Sequence, residues 1–202
     1  MTDFQDLFVI STPLILLLGA VSVLVIDILF INNRGLLSIT ALLSLLLAFI
    51  CAFLQFSFGD AQIAFHETVV LDQFALFFIT LLILVATIIT IASSSWALKL
   101  DLAGEYYALL LIATGSMALL VQAQDLILIF IALETTSIAQ YVLVAITRDD
   151  KSAEAGLKYL ISGAIAAAIM IYGFVFLFGL SGSTSLTDIS MFISSSNSDI
   201  RL

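Results

Sequence analysis

The chain has 202 residues, of which 62% are hydrophobic and 10% are charged. A soluble domain of this length needs far more polar residues to cover its surface, so the composition excludes a soluble enzyme and indicates an integral membrane protein. The formal net charge of −9 gives no argument for a cationic partner, because most acidic residues are spread over short loops and the termini. The sequence contains no basic patch for nucleic acid, and we expect no nucleic-acid partner.

Six apolar stretches are close to the ~20 residues that a helix needs to cross a bilayer. They are residues 7–30, 36–58, 73–96, 106–121, 125–146 and 152–180. The apolar runs are continuous and do not alternate, so they predict an all-α membrane bundle and not a barrel. The N-terminus lacks the basic region of a secretory signal, and we interpret the first stretch as a retained span. The polar segment after residue 180 is too short to be a seventh span.

The basic residues predict the orientation of the bundle. Lys and Arg occur in the first, third and fifth connections, at Arg34, Lys99, Arg148 and Lys151. The second and fourth connections contain Asp60, Glu67, Asp72 and Asp125 and no Lys or Arg. Because basic loops stay on the cytoplasmic side, the N-terminus is predicted to lie outside. Arg201, at the C-terminus, runs against this pattern.

Glu134 is the first functional candidate, since it is the one ionisable residue inside the apolar run of the fifth span. It lies about nine residues after Asp125, or roughly 13 Å into the membrane. A carboxylate at that depth should face other helices or a water-filled cavity. Ser137 and Tyr141 follow on the same helix face. Thr135, Thr136 and Gln140 widen this polar patch, which can hydrate a charged carboxylate or pack a permanently protonated one.

Lys158 is the second candidate, roughly 9 Å along the sixth span. It either faces the same polar core as Glu134 or extends back to the membrane surface. On antiparallel neighbours the two charges would be offset by roughly 10 Å, which suits coupling through water but not a direct ion pair. Gly163 and Ala167 give the same helix a small-residue surface for close packing.

Three further residues have simple interpretations. Asp27, late in the first span, is either an interfacial carboxylate or part of a proton path. His66 is the only histidine and cannot build a metal site alone. Cys51 is the only cysteine and forms no intrachain disulfide. The sequence shows no nucleophile with a base, no metal cluster and no phosphate-binding glycine loop, so we expect no cofactor in this chain.

The fifth and sixth spans carry a specific motif: IALETTSIAQYVLVAITRDDKSAEAGLKYLISGAIAAAIMIYGFVFLFGLSGST. It resembles the antiporter-like membrane subunit of proton-pumping NADH:quinone oxidoreductase (respiratory complex I), called subunit 2 in mitochondria and subunit N in bacteria. The upstream LDQFALFF and VQAQDLILIF strings are also similar to this family. The resemblance implies that Glu134 and Lys158 belong to a proton half-channel driven by quinone reduction. It also implies that partner subunits bind NADH, FMN, the iron–sulfur clusters and quinone.

The resemblance further implies a division of the chain. Members of the family have about fourteen helices with an inverted repeat and a broken helix that bears another lysine. Residues 1–104 would be three leading helices, 105–182 the first three helices of a repeat, and 183–202 a polar tail. The fold is therefore incomplete, and we expect either a fragment or a split subunit that a second chain completes. The expected partners are lipids and other membrane-arm subunits.

Two other functions remain open. The chain can instead be a subunit of a multi-subunit cation/proton antiporter or membrane hydrogenase, which uses the same kind of Glu and Lys pair. It can also be a structural assembly subunit whose buried charges only determine packing. The expected location is the bacterial plasma membrane or the mitochondrial inner membrane, with the thylakoid as a further possibility for the related quinone-reducing complexes.

Overall fold

A computed structural model describes residues 2–29, 35–57, 59 and 61–199 of the chain. Within these residues there are eight helices and one two-stranded hairpin. The helices are α1 (Thr2–Val9), α2 (Ser11–Leu29), α3 (Gly35–Phe56), α4 (Gln73–Ala97), α5 (Ala103–Gln122), α6 (Leu126–Val144), α7 (Asp150–Ser181) and α8 (Leu186–Asp199). The strands are β1 (Gln62–Ala64) and β2 (Val69–Leu71).

Helices α2 to α7 are long and apolar enough to cross a membrane, and they are the six such helices in the described residues. The prediction of six spans is therefore confirmed, and the chain is a multi-pass integral membrane protein. Pro13 is the third residue of α2. Backbone N–H groups in the first turn of a helix have no acceptor within that helix, so a proline at this position costs no helical hydrogen bond. The residues before it form the separate short helix α1. The polar segment after α7 contains a helix, α8, of 14 residues.

Helix α5 lies at the centre of the bundle and packs against α2, α4 and α6, with a smaller contact to α3. Small residues allow this close approach. A Cβ on Gly115 of α5 would lie 3.3 Å from the Leu16 side chain, and a Cβ on Gly19 of α2 would lie 2.5 Å from that of Ser44. The core is completed by fully buried side chains such as Leu45, Ile79 and Tyr107.

The two ends of the bundle differ in charge and structure. The connections from α4 to α5 and from α6 to α7 lie at one end, which we call the basic end, and they contain Lys99, Arg148 and Lys151. The opposite end, the hairpin end, carries β1 and β2. Arg34, Asp60 and Arg201, which entered the orientation argument, lie outside the described residues.

The hairpin end is tied together by hydrogen bonds between separate connections. Strands β1 and β2 pair antiparallel, and the backbone N–H of Phe65 in their turn donates to the Asp6 carboxylate of α1 at 3.2 Å. The N–H of Gln124, between α5 and α6, donates to the carbonyl of Thr68 beside β2. The N–H of Leu186, at the start of α8, donates to the carbonyl of Gln124. These bonds link every connection at this end of the described chain.

Helix α7 is the least enclosed span. It packs against α6 and has a smaller contact with α8. Its membrane-spanning part has almost no buried residues, whereas more than half of the spanning part of α5 is buried. The large side chains of α7 that remain exposed include Ile165, Ile169, Tyr172 and Phe176.

Candidate functional site

Helix α6 carries Glu134 and starts from a well-formed cap. The carboxylate of Asp125, the N-cap residue, accepts hydrogen bonds from the backbone N–H groups of Ile127 and Leu128. Such a side chain satisfies donors that have no partner in the first turn and complements the helix dipole. The other carboxylate oxygen accepts a hydrogen bond from the Thr184 hydroxyl, which precedes α8. The start of α6 is therefore fixed both locally and across the hairpin end.

Glu134 lies halfway along α6 and is half-buried, as are Thr135, Ser137 and Gln140, whereas Tyr141 is buried. The hydroxyl groups of Thr135 and Thr136 donate to the carbonyls of Ile131 and Ala132 in their own helix. Their protons are thus directed to the backbone and not to Glu134. This leaves Ser137, on the same helix face and one turn away, as the nearest hydroxyl along that face.

Two glycines of α7 allow α6 and α7 to pack closely together. A Cβ on Gly163 would overlap the Tyr141 hydroxyl, and a Cβ on Gly156 would lie 2.8 Å from that of Ala145. The ring of Tyr141 also packs edge-on against Tyr159, with ring centroids 4.8 Å apart. The predicted small-residue surface of α7 is therefore present at Gly163, and Ala167 on the same face is buried.

A polar contact crosses the same interface, because the Tyr159 hydroxyl donates to Gln140 Oε1 at 2.9 Å. Together these contacts fix the antiparallel register of the two helices. Tyr141 lies level with the α7 residues between Tyr159 and Gly163. By the same register Glu134 lies level with the α7 residues near Ala167. At a rise of 1.5 Å per residue, Glu134 and Lys158 are then offset by about 14 Å along the helix axes.

Lys158 lies on the face of α7 that is turned away from α6. It follows Gly156 by two residues, which is a rotation of about 200° around a helix. Its side chain is 74% exposed and forms an ion pair with Glu154, one turn closer to the basic end. The structure therefore does not bring Lys158 and Glu134 together. The direction of the lysine agrees with the alternative in which it extends back toward the membrane surface.

Sequence reasoning did not single out Glu154 and Tyr159 as partners. A signal for Glu154 was present, because Glu placed four residues before Lys is the favourable order for a helical pair. The contact of Tyr159 with Gln140 depends on the register of two helices, and no spacing within one helix reveals it.

Asp27 lies at the basic end, and its carboxylate is against the first turn of α5. A Cβ on Gly104 would lie 2.5 Å from Asp27 Oδ2. The N-cap residue of α5, Leu102, makes no side-chain cap. A carboxylate in this position is stabilised by the helix dipole, which agrees with the interfacial interpretation of Asp27.

The two remaining candidates lie near the hairpin end. His66 is exposed in the hairpin turn, where Phe65, His66 and Glu67 all have positive φ angles. The Cys51 sulfur lies 3.1 Å from the Ser11 hydroxyl. In the described part of the chain, no group of three His, Cys, Asp or Glu residues is placed to hold a metal ion.

An open groove of about 620 Å³ lies between α5 and α7 over α6, at the basic end. Its polar lining comes from Glu105 of α5, Tyr141 of α6 and Arg148 of the following connection. Its apolar lining includes Leu109, Ile138, Leu157 and Leu160. Ile138 lies one turn from Glu134 on the same stripe of α6, so the groove extends from the basic end to the level just below Glu134.

The fold and much of the sequence are similar to those of antiporter-like membrane subunits. Residues 123–201 match the sequence model of a family described as NADH:quinone oxidoreductase/Mrp antiporter, TM. A chain of respiratory complex I from Thermus thermophilus with bound aureothin has a TM-score of 0.69 and 31% identity, covering 87% of this chain and 38% of that chain. The archaeal membrane-bound sulfane sulfur reductase complex contains a chain with a TM-score of 0.78, 21% identity and coverage of 93% and 39%, which shows the same fold.

Within this class, the chain is a homologue of NADH-quinone oxidoreductase subunit N. That subunit from Dehalococcoides mccartyi is 33% identical over 94% of this chain and 39% of its own length. The subunit from Ruthia magnifica is 34% identical over 98% of this chain and 42% of its own length. The resemblance found in the sequence is confirmed, as is its partial extent. The chain spans about two fifths of the length of these relatives.

Proposed function

We propose that the chain contributes a proton half-channel to the membrane arm of a proton-pumping NADH:quinone dehydrogenase, with Glu134 and Lys158 as its titrating groups. The observation that carries this proposal is the position of Glu134, half-buried in the middle of a span and on the polar side of α6. A carboxyl group at that depth in a membrane helix is costly unless it serves a pathway or a partner. The relatives named above add support, because each is a subunit N of an NADH-quinone oxidoreductase.

Polar side chains lie at depths between those of Glu134 and Lys158 along the bundle. Along α6 they are Ser137, Gln140 and Tyr141, and the Tyr159 hydroxyl joins them from α7. The offset of about 14 Å is too long for direct transfer and requires water between these groups. Because Lys158 faces away from α6, we propose that its transfer partner belongs to helices other than α2 to α6. The large exposed side chains on the outer face of α7 are available to pack against such helices.

The proposed topology has the basic end inside and the hairpin end outside. Lys99, Arg148 and Lys151 lie together at the basic end, and basic residues near span ends are retained on the inside. The remaining helices, whether from the same gene or a second chain, would supply the rest of the channel. NADH, FMN, the iron–sulfur clusters and quinone would be bound by partner subunits. Bacterial relatives favour a bacterial plasma membrane.

The test is proton pumping by the intact complex that carries Glu134→Gln, with assembly measured on native gels. We expect normal assembly and a pumping rate reduced by about 10²-fold, the scale for loss of a positioned proton-transfer group. Unchanged pumping would make Glu134 a neutral packing residue and would disprove the proposal. Lost assembly would instead favour the structural role.

A subunit of a cation/proton antiporter is the second candidate, because the matching family model covers both classes. Subunits of membrane hydrogenases, which use the same kind of Glu and Lys pair, belong to this alternative. Measuring pumping with sodium removed separates these functions, since a cation antiporter needs its cation and a proton pump does not.

A further inference from the structure

The groove at the basic end is lined by a half-buried carboxyl group, that of Glu105, which the proposed function does not yet use. Glu105 lines the groove, and its Oε2 atom is inaccessible to solvent and has no hydrogen-bond partner within the described residues. A buried carboxylate oxygen without a donor costs free energy, so such an atom calls for a specific explanation.

The position of Glu105 places this group on the way to Glu134. Helices α5 and α6 are antiparallel and joined by a short connection, so Glu105 lies level with the α6 residues near Leu143. From there to Glu134 is nine residues, or about 13 Å. The groove covers most of this distance, with Tyr141 and then Ile138 in its wall.

We propose that Glu105 collects protons at the basic end of the groove and delivers them toward Glu134. The inference rests on the proposed function and adds a residue and an entry route to it. In the step, the Glu105 carboxylate takes a proton from water at the basic end and releases it to water inside the groove. No electron or leaving group is transferred. Glu105 is thus a loading residue for the channel and Glu134 its inner acceptor.

The surroundings of Glu105 agree with this role. The other polar residues that line the same groove are Arg148, at its basic end, and Tyr141, deeper along α6. Asp27 lies against the neighbouring Gly104, so a second carboxylate occupies the first turn of α5. Because Asp27 can complement the dipole at this helix terminus, the dipole alone does not account for the position of Glu105 in the groove.

The experiment uses the intact complex in vesicles with the Glu105→Gln, Glu105→Asp and Asp101→Asn variants. Asp101 is a matched control, because it is an exposed carboxylate four residues before Glu105 and does not line the groove. We expect Glu105→Gln to assemble normally and to reduce the pumping rate, by less than the roughly 10²-fold expected for Glu134→Gln. Glu105→Asp should restore most of the rate, and Asp101→Asn should leave it unchanged.

A second readout separates proton loading from a structural role. Acidifying the medium at the basic end should reduce the deficit of Glu105→Gln, since a higher proton concentration replaces the collecting group. Pumping at the wild-type rate, a deficit that does not change with pH, or failure of Glu105→Gln to assemble would each overturn the inference. Glu134→Gln, measured in parallel, tells the two proposals apart. If it abolishes pumping while Glu105→Gln has no effect, only the loading role is wrong.

Discussion

The hydroxyl group of Tyr141 occupies the space that a side chain at Gly163 would need. Gly163→Ala should therefore force the buried Tyr141 ring away from Tyr159 and destabilise the contact between α6 and α7. We expect a loss of about 1–3 kcal/mol in the free energy of unfolding, typical of overpacking. Thermal unfolding of the purified chain in detergent, followed by circular dichroism, measures this change.

Gly173→Ala on the same helix is the matched control for this variant. A Cβ at Gly173 meets no atom within 4 Å, and replacing a helical glycine with alanine gains up to about 1 kcal/mol. Equal stability of the two variants would show that Tyr141 does not pack on Gly163.

The ion pair of Lys158 with Glu154 should contribute little to stability of the isolated chain. Both side chains are mostly exposed, at 74% and 66%, and an exposed i,i+4 pair contributes about 0.3–0.5 kcal/mol. A double-mutant cycle with Lys158→Gln and Glu154→Gln, measured by thermal unfolding, should return a coupling energy in that range. In the intact complex Lys158→Gln should assemble and lose pumping.

A coupling energy of several kcal/mol in the isolated chain would contradict the exposed position of the pair. Normal pumping by Lys158→Gln would remove Lys158 from the channel while leaving the fold unaffected.

The six membrane spans could be predicted from the sequence, but the contacts between them could not. The length and apolarity of each run determine that it crosses the membrane, so all six helices were predictable. The rotation of Lys158 relative to Gly156 is also readable from their spacing of two residues. Which of these faces meets α6 is decided by the fit of Gly163 to Tyr141, and that fit involves two helices.

The same limit explains why Glu105 did not stand out in the sequence. It occurs in the first turn of α5, where an acidic residue is ordinary because the helix dipole favours it. Only the packing of α6 and α7 beside α5 turns this position into the lining of a groove. The hairpin could not be predicted from the sequence either, because its two strands have only three residues each and lie in a connection between helices.

Asp125 should matter more for stability than its hydrogen-bond partner Thr184. The Asp125 carboxylate both caps α6 and accepts the Thr184 hydroxyl. Asp125→Ala loses both interactions, and the cap alone is worth about 1 kcal/mol. Thr184→Val removes only the link to the segment before α8, at a cost of about 0.5–1.5 kcal/mol. Hydrogen exchange at the first turn of α6 provides the measurement, and equal exchange in the two variants would contradict the cap.

The start of α7 should show a pH dependence that comes from its cap. The Thr147 hydroxyl and then the Ser152 backbone N–H donate to the Asp149 carboxylate, and they hold its pKa below the ordinary value of 3.8. Because the folded-state pKa is lowered, the charged carboxylate stabilises the folded chain above the unfolded-state pKa. This stabilisation is lost as the pH falls through the folded-state pKa.

Asp149→Asn keeps a side-chain cap but cannot titrate, so its unfolding temperature should be lower than that of the wild type at neutral pH. The difference should shrink as the pH falls below 3.8. Thermal unfolding in detergent across this pH range measures it. Asp150→Asn is the control, because it removes a charge one residue later and leaves the hydrogen bonds of the cap in place. If the difference between Asp149→Asn and the wild type stays the same at all pH values, the carboxylate does not stabilise α7 through its charge.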